Sequence, residues 1–395
     1  MENMVLILIS LALSLFLAYF LSPLVLNESH FGPAWRVLRR NMTAVMLHPS
    51  RIKEFSHYRR RAGRVLIGEL RRQADRGEPV VVLDSFRYAI FSLLCWMCFG
   101  ENLEEKTVRE IQRVQHDITL HFNKVNYIFP RLWEMIGETR RRREDLFVPM
   151  IKARRERIEE VNRRGEESFQ FSYLDSLLNL ELPDEEGRSR KLTEEEIICL
   201  CSEILSGGTD TTVAVLQSIM ANLVKHHDIQ AWLYDEISAV VGDRETWKRR
   251  PWASCPFQGR DHGRPTASPP AHFLVSHSPT EDATVGGYLI PRRTTVNVMV
   301  TEMNWNSKVW SDPMEFRPER FLPAEKEIKM LTFGAGRRAC PGLGLAMLHL
   351  EYFVANMVRE FEWTAANREV DMSEQMEFTY VMKTPLKATI LPRVR

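Results

Sequence analysis

The chain has 395 residues, 44% of them hydrophobic, enough for one large core or two smaller ones. Its formal net charge of +1 gives no case for a nucleic-acid partner. The six cysteines, Cys95, Cys98, Cys199, Cys201, Cys255 and Cys340, show no disulfide framework, so the soluble part reads as belonging to a reducing, cytosolic compartment.

Met4 to Leu21 is almost wholly apolar and carries no charge. As a helix it is just long enough to cross about 30 Å of hydrocarbon with little tilt. A cleaved signal peptide is the rival, but Glu2 stands where a basic n-region belongs and no clear cleavage site follows. Residues 1–22 are therefore expected to be a retained membrane anchor. Gly32-Pro33 then breaks the chain, and Trp35 opens a helix on which Trp35 and Arg39, four apart, share one face. An indole N–H beside a guanidinium makes a carboxylate clamp, and an exposed basic helix is the plainer alternative.

Helical patterns dominate from there, so the fold class is mainly α with small β-sheets. Pro49 to Ala74 is basic and amphipathic, and Val82 to Phe99 is apolar nearly all round, as a buried core helix is. Cys95-Trp96-Met97-Cys98 lies in that run and reads as two core cysteines rather than a redox or zinc pair. Glu105 to Phe122 and Gly137 to Arg163 follow as helices, the four arginines Arg140–Arg143 reading as a solvated face. Pro183 to Gly187 is a surface loop. Thr193 and Glu196 predict a capping box that opens a helix over Glu194 to Lys225.

Inside that helix sits Ser206-Gly207-Gly208-Thr209-Asp210-Thr211-Thr212. Two glycines in a buried helix cost about 1 kcal/mol each against Ala, so something is expected to approach the backbone there or the ladder to open. Thr211 can bond back into the helix and Asp210 can carry protons. The alternative is a kink with a polar cluster. Ala283 to Pro291 reads as a hairpin arm, Thr294 to Val300 as a strand, and Glu377 to Leu391 as further strands.

Phe333-Gly334-Ala335-Gly336-Arg337-Arg338-Ala339-Cys340-Pro341-Gly342 frames one cysteine with glycines and arginines, and an apolar helix-forming run follows it. Gly336 and Gly342 let the backbone turn, and Pro341 suits the first turn of a helix, placing Cys340 near its N-terminus. The dipole and Arg338 favour a thiolate, which is either a nucleophile or a metal ligand.

Phe-x-x-Gly-x-Arg-x-Cys-x-Gly resembles the haem-ligand signature of the cytochrome P450 superfamily, the haem-thiolate monooxygenases. Chance agreement at five fixed positions is on the order of 10⁻⁴ at average composition. The resemblance runs from Gly32 to about Asp243 and from Ala271 to Arg393, with phrasing like that of plant microsomal members. It implies a P450 fold over residues 23–395, haem b bound through Cys340, and electrons from NADPH through a reductase. It also implies oxygen insertion into an apolar small molecule and tethering to the endoplasmic reticulum. Phe333, Gly336, Arg338 and Gly342 would shape the haem loop, and Trp35 and Arg39 would hold a propionate. Gly207 and Gly208 would form the oxygen-side groove, and Asp210 and Thr211 would relay protons. His277 matches a propionate-ligand position, although a solvated loop histidine fits as well. Phe316-Arg317-Pro318-Glu319-Arg320-Phe321 resembles the family's meander.

Two departures make the domain incomplete. The anchor runs almost directly into the Trp35 helix, without the proline-rich hinge, most of a β-sheet and the two helices of family members. The remaining strands would then have raw edges. The Glu-x-x-Arg helix that locks to the meander arginine, here Arg320, is also missing, and residues 246–270 read instead as an aberrant Pro-, Arg- and Gly-rich segment. A suitable choice of synonymous codons for Gln258–Pro269 can encode, one base out of frame, Lys-Ala-Val-Ile-Met-Glu-Gly-Leu-Arg-Arg-His-Pro, which would restore that motif. A truncated or frame-shifted inactive relative with impaired haem binding is therefore the second expectation.

Overall fold

The computed structural model describes residues 32–100, 103–123, 130–165, 170–184, 187–241, 271–313, 315, 331–367, 369–377 and 379–393. The Met4–Leu21 anchor, the 246–270 segment and the Phe316–Phe321 meander lie outside them. The chain forms two compact units, one holding Arg87–Asp210 and the chain up to Val65, the other Leu66–Phe86 and Thr211–Arg395.

The first unit is helical. Helix α1, Pro33–Asn41, has Pro33 in its first turn and basic residues in its last, and it runs into a π-helical turn over Met42–Met46. The expected helix over 49–74 is two, α2 (Pro49–Glu54) and α3 (Ser56–Ala74). Helix α4, Val82–Phe99, meets the length and hydropathy of a membrane span, yet 78% of it is buried, so it is the expected core helix. Helices α5 (Glu105–Asn123) and α6 (Pro130–Arg164) follow, then α7 (Tyr173–Leu178).

The arginine run on α6 is not simply a solvated face. Arg140 pairs with Glu144 and Glu195, Arg142 with Asp117 at 3.4 Å, and Arg143 donates to the Cys199 sulfur at 3.5 Å. Further along α6, buried Arg154 grips Asp175 through two bonds of 2.6 and 2.7 Å and also donates to the Gln170 carbonyl. Gly100 ends α4 at φ +70°, and a Cβ there would lie 2.9 Å from Ser172 Cβ and 3.1 Å from the Arg154 guanidinium. Only glycine suits both the dihedral and the space.

A hairpin of β2 (Glu181–Pro183) and β3 (Ser189–Lys191) leads to helix α8, Glu194–Lys225. The capping box forms as expected, with Glu196 N–H on Thr193 Oγ1 at 3.2 Å and Thr193 N–H on Glu196 Oε2 at 2.8 Å. Burial pushes the Glu196 carboxyl up, but its bonds to Arg190 and Thr193 outweigh burial and hold its pKa lowered.

The second unit combines helix α9 (His227–Val241) and helix α11 (Leu343–Glu360) with small sheets. Strands β1 (Val80–Val81), β9 (Lys387–Pro392) and β6 (Phe361–Ala365) form one antiparallel sheet in that order. Its outer strand is completed by a side chain. Buried Gln230 on α9 accepts from the Trp363 N–H at 2.9 Å and donates to the Trp363 carbonyl at 2.9 Å, as a neighbouring strand would.

The expected hairpin is β4 (Ala283–Val285) and β5 (Tyr288–Ile290), turning at Gly286 and Gly287, both at positive φ. The expected strand over 294–300 is mostly irregular. It makes only the bridges His277↔Val296 and Phe273↔Met299 before Val300 opens the short helix α10, Val300–Asn304. The C-terminal strands are β7 (Glu374–Met376), β8 (Tyr380–Met382) and β9, starting slightly before the expected Glu377.

Candidate haem-thiolate site

The first unit carries Trp35, Arg39, Gly207, Gly208 and Asp210. Trp35 is buried and Arg39 half-buried on α1, one turn apart. The α8 helix runs through Gly207 and Gly208 without a break, and the two glycines differ. A Cβ on Gly208 would meet Leu94 Cδ1 at 2.9 Å, so this glycine lets α4 and α8 pack closely. Gly207 is exposed, and a Cβ there would have no neighbour within 4 Å.

Asp210 lies 3.5 Å from Arg87 Nε of α4, both side chains largely shielded. Arg87 did not emerge as a site residue from sequence. Its signal was present, because it is the one basic residue in the apolar run Val82–Phe99.

The second unit carries Thr211, His277 and the cysteine loop. Thr211 is half-buried on α8. His277 is exposed, and its Nδ1 donates to the Val275 carbonyl at 2.7 Å while its backbone exchanges bonds with Val296. That local bond from an exposed ring suits a loop histidine as well as a ligand.

The cysteine loop is built by backbone bonds. Gly334 N–H returns to the Leu331 carbonyl and Cys340 N–H to the Phe333 carbonyl, each at 2.8 Å. Gly334 and Gly336 take φ of +69° and +70°, the left-handed region that glycine enters without strain. Gly336–Arg338 form a 3₁₀ turn, and Arg338 is half-buried. Helix α11 begins at Leu343 with Gly342 as N-cap, so Pro341 precedes the helix rather than opening it.

Cys340 is exposed, whereas Cys95, Cys98, Cys199 and Cys201 are buried. Burial raises Cys95 and Cys98 well above the ordinary thiol value, and pushes Cys199 up to about 11 even beside Arg143. A Cβ at Gly342 would sit 3.7 Å from Cys340 Sγ, an ordinary van der Waals distance, so the sulfur alone does not require glycine there. An exposed sulfur on a glycine-built loop before a helix N-terminus suits a bound haem. The donor set is a thiolate one.

A mainly helical fold with such a loop defines the haem-thiolate class. The cytochrome P450 family model matches residues 15–253 and 267–391. Cytochrome P450 89A9 of Arabidopsis thaliana is 39% identical over 406 residues, covering 93% of this chain and 76% of the relative. Geraniol 8-hydroxylase of Catharanthus roseus is 28% identical over 382 residues, covering 90% and 74%. Two solved zebra fish cytochrome P450 structures, with abiraterone and with progesterone, superpose with TM-scores of 0.74 and 0.76 at 21% identity, each covering 93% of this chain and 84% of the other. The chain belongs to the cytochrome P450 family, monooxygenases that act on small molecules with a haem iron.

Proposed function

We propose that the protein hydroxylates an apolar small molecule, with Cys340 as the thiolate ligand of haem b. The observation that carries this is the exposed Cys340 on its glycine-built loop, in contrast to the four buried cysteines. When bound, the haem supplies oxygen activation, and thiolate donation favours O–O cleavage. The net change consumes substrate, O2, NADPH and a proton and yields the hydroxylated product, water and NADP+. The chain's own tasks are to hold the sulfur, exclude water and move protons. Asp210 takes protons from solvent and passes them to the Thr211 hydroxyl on the next residue of α8. Trp35 and Arg39, with His277, bind the propionates. Phe333, Gly336, Arg338 and Gly342 shape the loop around the sulfur, and Gly207 and Gly208 keep the α8 backbone low on the oxygen side.

Electrons come from NADPH through a reductase docking near Arg337, and the apolar Met4–Leu21 segment tethers the protein to the endoplasmic reticulum membrane. A small apolar substrate is in keeping with a relative named for geraniol hydroxylation.

One observation favours a second reading, an inactive relative with impaired haem binding. The family match is interrupted over 254–266, inside the segment read as aberrant, and the chain covers 76% of the length of a relative that matches 93% of it. The reduced, carbon monoxide-bound spectrum of the expressed full chain separates the two. A Soret band at about 450 nm, lost in Cys340→Ala, supports the monooxygenase with intact thiolate ligation. Its absence from the unsubstituted protein overturns that reading. The coding DNA tests the frame-slip origin, which fails if no other frame over 246–270 encodes Glu-x-x-Arg.

A further inference from the structure

The cysteine loop has a brace that the sequence motif does not contain. Asn304, the last residue of α10, is 1% exposed. Its Oδ1 accepts from the Leu331 N–H at 3.3 Å, and its Nδ2 donates to Thr332 Oγ1 at 3.2 Å. Leu331 and Thr332 are where the loop begins. Leu331 also accepts the Gly334 N–H at 2.8 Å, and the next carbonyl after Thr332, that of Phe333, accepts the Cys340 N–H. One buried amide thus holds the arm of the loop to which the cysteine is bonded. The amide orientation follows from its partners, because only an oxygen can face the Leu331 N–H.

Leu274 lies near the same arm, where a Cβ built on Gly334 would come 3.8 Å from its Cδ2, an ordinary separation. Leu274 itself is tied by its N–H to the Val298 carbonyl at 3.0 Å. Helix α10 is anchored in turn where the His272 carbonyl accepts the Val300 and Thr301 N–H groups, at 2.9 and 3.3 Å. The path from Phe273–Met299 through α10 to the loop runs wholly within the second unit.

We propose that Asn304 is a positioning residue that sets the Cys340 sulfur for haem ligation. This deepens the monooxygenase reading and rests on it for the ligand's identity, but the brace itself is a property of the loop. Asn304 does not touch the sulfur. It acts through Leu331, Thr332 and the Phe333–Cys340 hydrogen bond. The brace lies 28 residues from Thr332 in sequence and does not involve the Glu-x-x-Arg helix that the sequence lacks.

The test compares Asn304→Ala, Asn304→Asp and Thr332→Val in the full chain by amide hydrogen exchange and by the carbon monoxide spectrum. Thr332→Val removes one bond and should speed exchange at the Cys340 amide roughly tenfold, the equivalent of about 1.4 kcal/mol. Asn304→Ala removes both bonds and should exceed it, shifting haem-loaded protein from the thiolate-type Soret band toward a shorter-wavelength one. Asn304→Asp keeps an acceptor for the Leu331 N–H but buries a carboxylate, so Cys340 exchange in it should be slower than in Asn304→Ala when the two are compared at equal global stability. Exchange along α11 and β6 should stay unchanged, which a merely structural role would not allow. Unchanged Cys340 exchange in Asn304→Ala, or equal acceleration throughout the unit, overturns the proposal. If the unsubstituted chain shows no thiolate-type band, the monooxygenase reading fails, and the exchange measurements alone decide the role of Asn304.

Discussion

The helical stretch 87–210 and the strand-and-turn stretch 271–313 are built on opposite economies. In the first, several buried polar groups find charged or hydrogen-bonded partners: Arg154 with Asp175, Gln115 with Ser202 at 2.9 Å, Glu196 with Arg190 at 2.7 Å. The second holds eight of the twelve large apolar residues found exposed among the described residues, including Val275, Val285, Tyr288 and Leu289. Helices satisfy their backbone internally and need only a stripe of burial, whereas short strands depend on neighbours for both. The hairpin β4–β5 keeps its register because Gly286 and Gly287 dictate the turn, so local geometry survives without cover.

The sharpest way to break this contrast is at the Arg154–Asp175 pair. Arg154→Ala leaves a buried carboxylate uncompensated and should cost about 3–5 kcal/mol in denaturant unfolding. Survival with under a third of that loss would show that this helical region does not depend on the pair. Next comes Gly100→Ala. A left-handed dihedral costs about 1–2 kcal/mol for a residue with a Cβ, and the contacts with Ser172 and Arg154 add to it. The same assay should show a loss larger than the dihedral alone explains.

Thr193→Ala removes the α8 cap and should cost about 1 kcal/mol. The Glu196 carboxyl is lowered from its ordinary 4.5 in the folded protein. Its stabilisation is therefore fully present above that value and is lost as pH falls through the folded pKa. Unfolding measured from pH 7 downward should show this loss in the unsubstituted protein and a smaller one in Thr193→Ala. The smallest effect belongs to the second region. Val285→Thr with Leu289→Thr should change stability by less than about 0.5 kcal/mol each, because neither side chain is buried. Light scattering should fall at the same time, since exposed apolar strand edges promote association.

Much of the architecture was legible in the sequence. The α4 core helix follows from an apolar run, the α8 start from Thr193 and Glu196, and the β4–β5 turn from two glycines, all signals carried by neighbours in the chain. The cysteine loop was legible for the same reason. What escaped involves partners far apart: Arg154 with Asp175, Gln230 with Trp363, Arg142 with Asp117, Arg87 with Asp210. The arginine run 140–143 looked solvated because nothing local reveals Glu195 or Cys199 across the helix interface. The strand expected over 294–300 has the right residues but only two bridges to pair it, so pairing rather than propensity decided its form.

The sequence by itself determined the family, the mainly helical fold and the loop whose cysteine is proposed as the haem ligand, because a thiolate loop needs its glycines and its sulfur at fixed short spacings. Tertiary structure alone decided that Gly208 admits Leu94 while Gly207 stays open, that Cys340 is exposed while four other cysteines are buried, and that Asn304 holds the loop. Burial and long-range hydrogen bonds arise only when distant segments meet, and no local pattern encodes them.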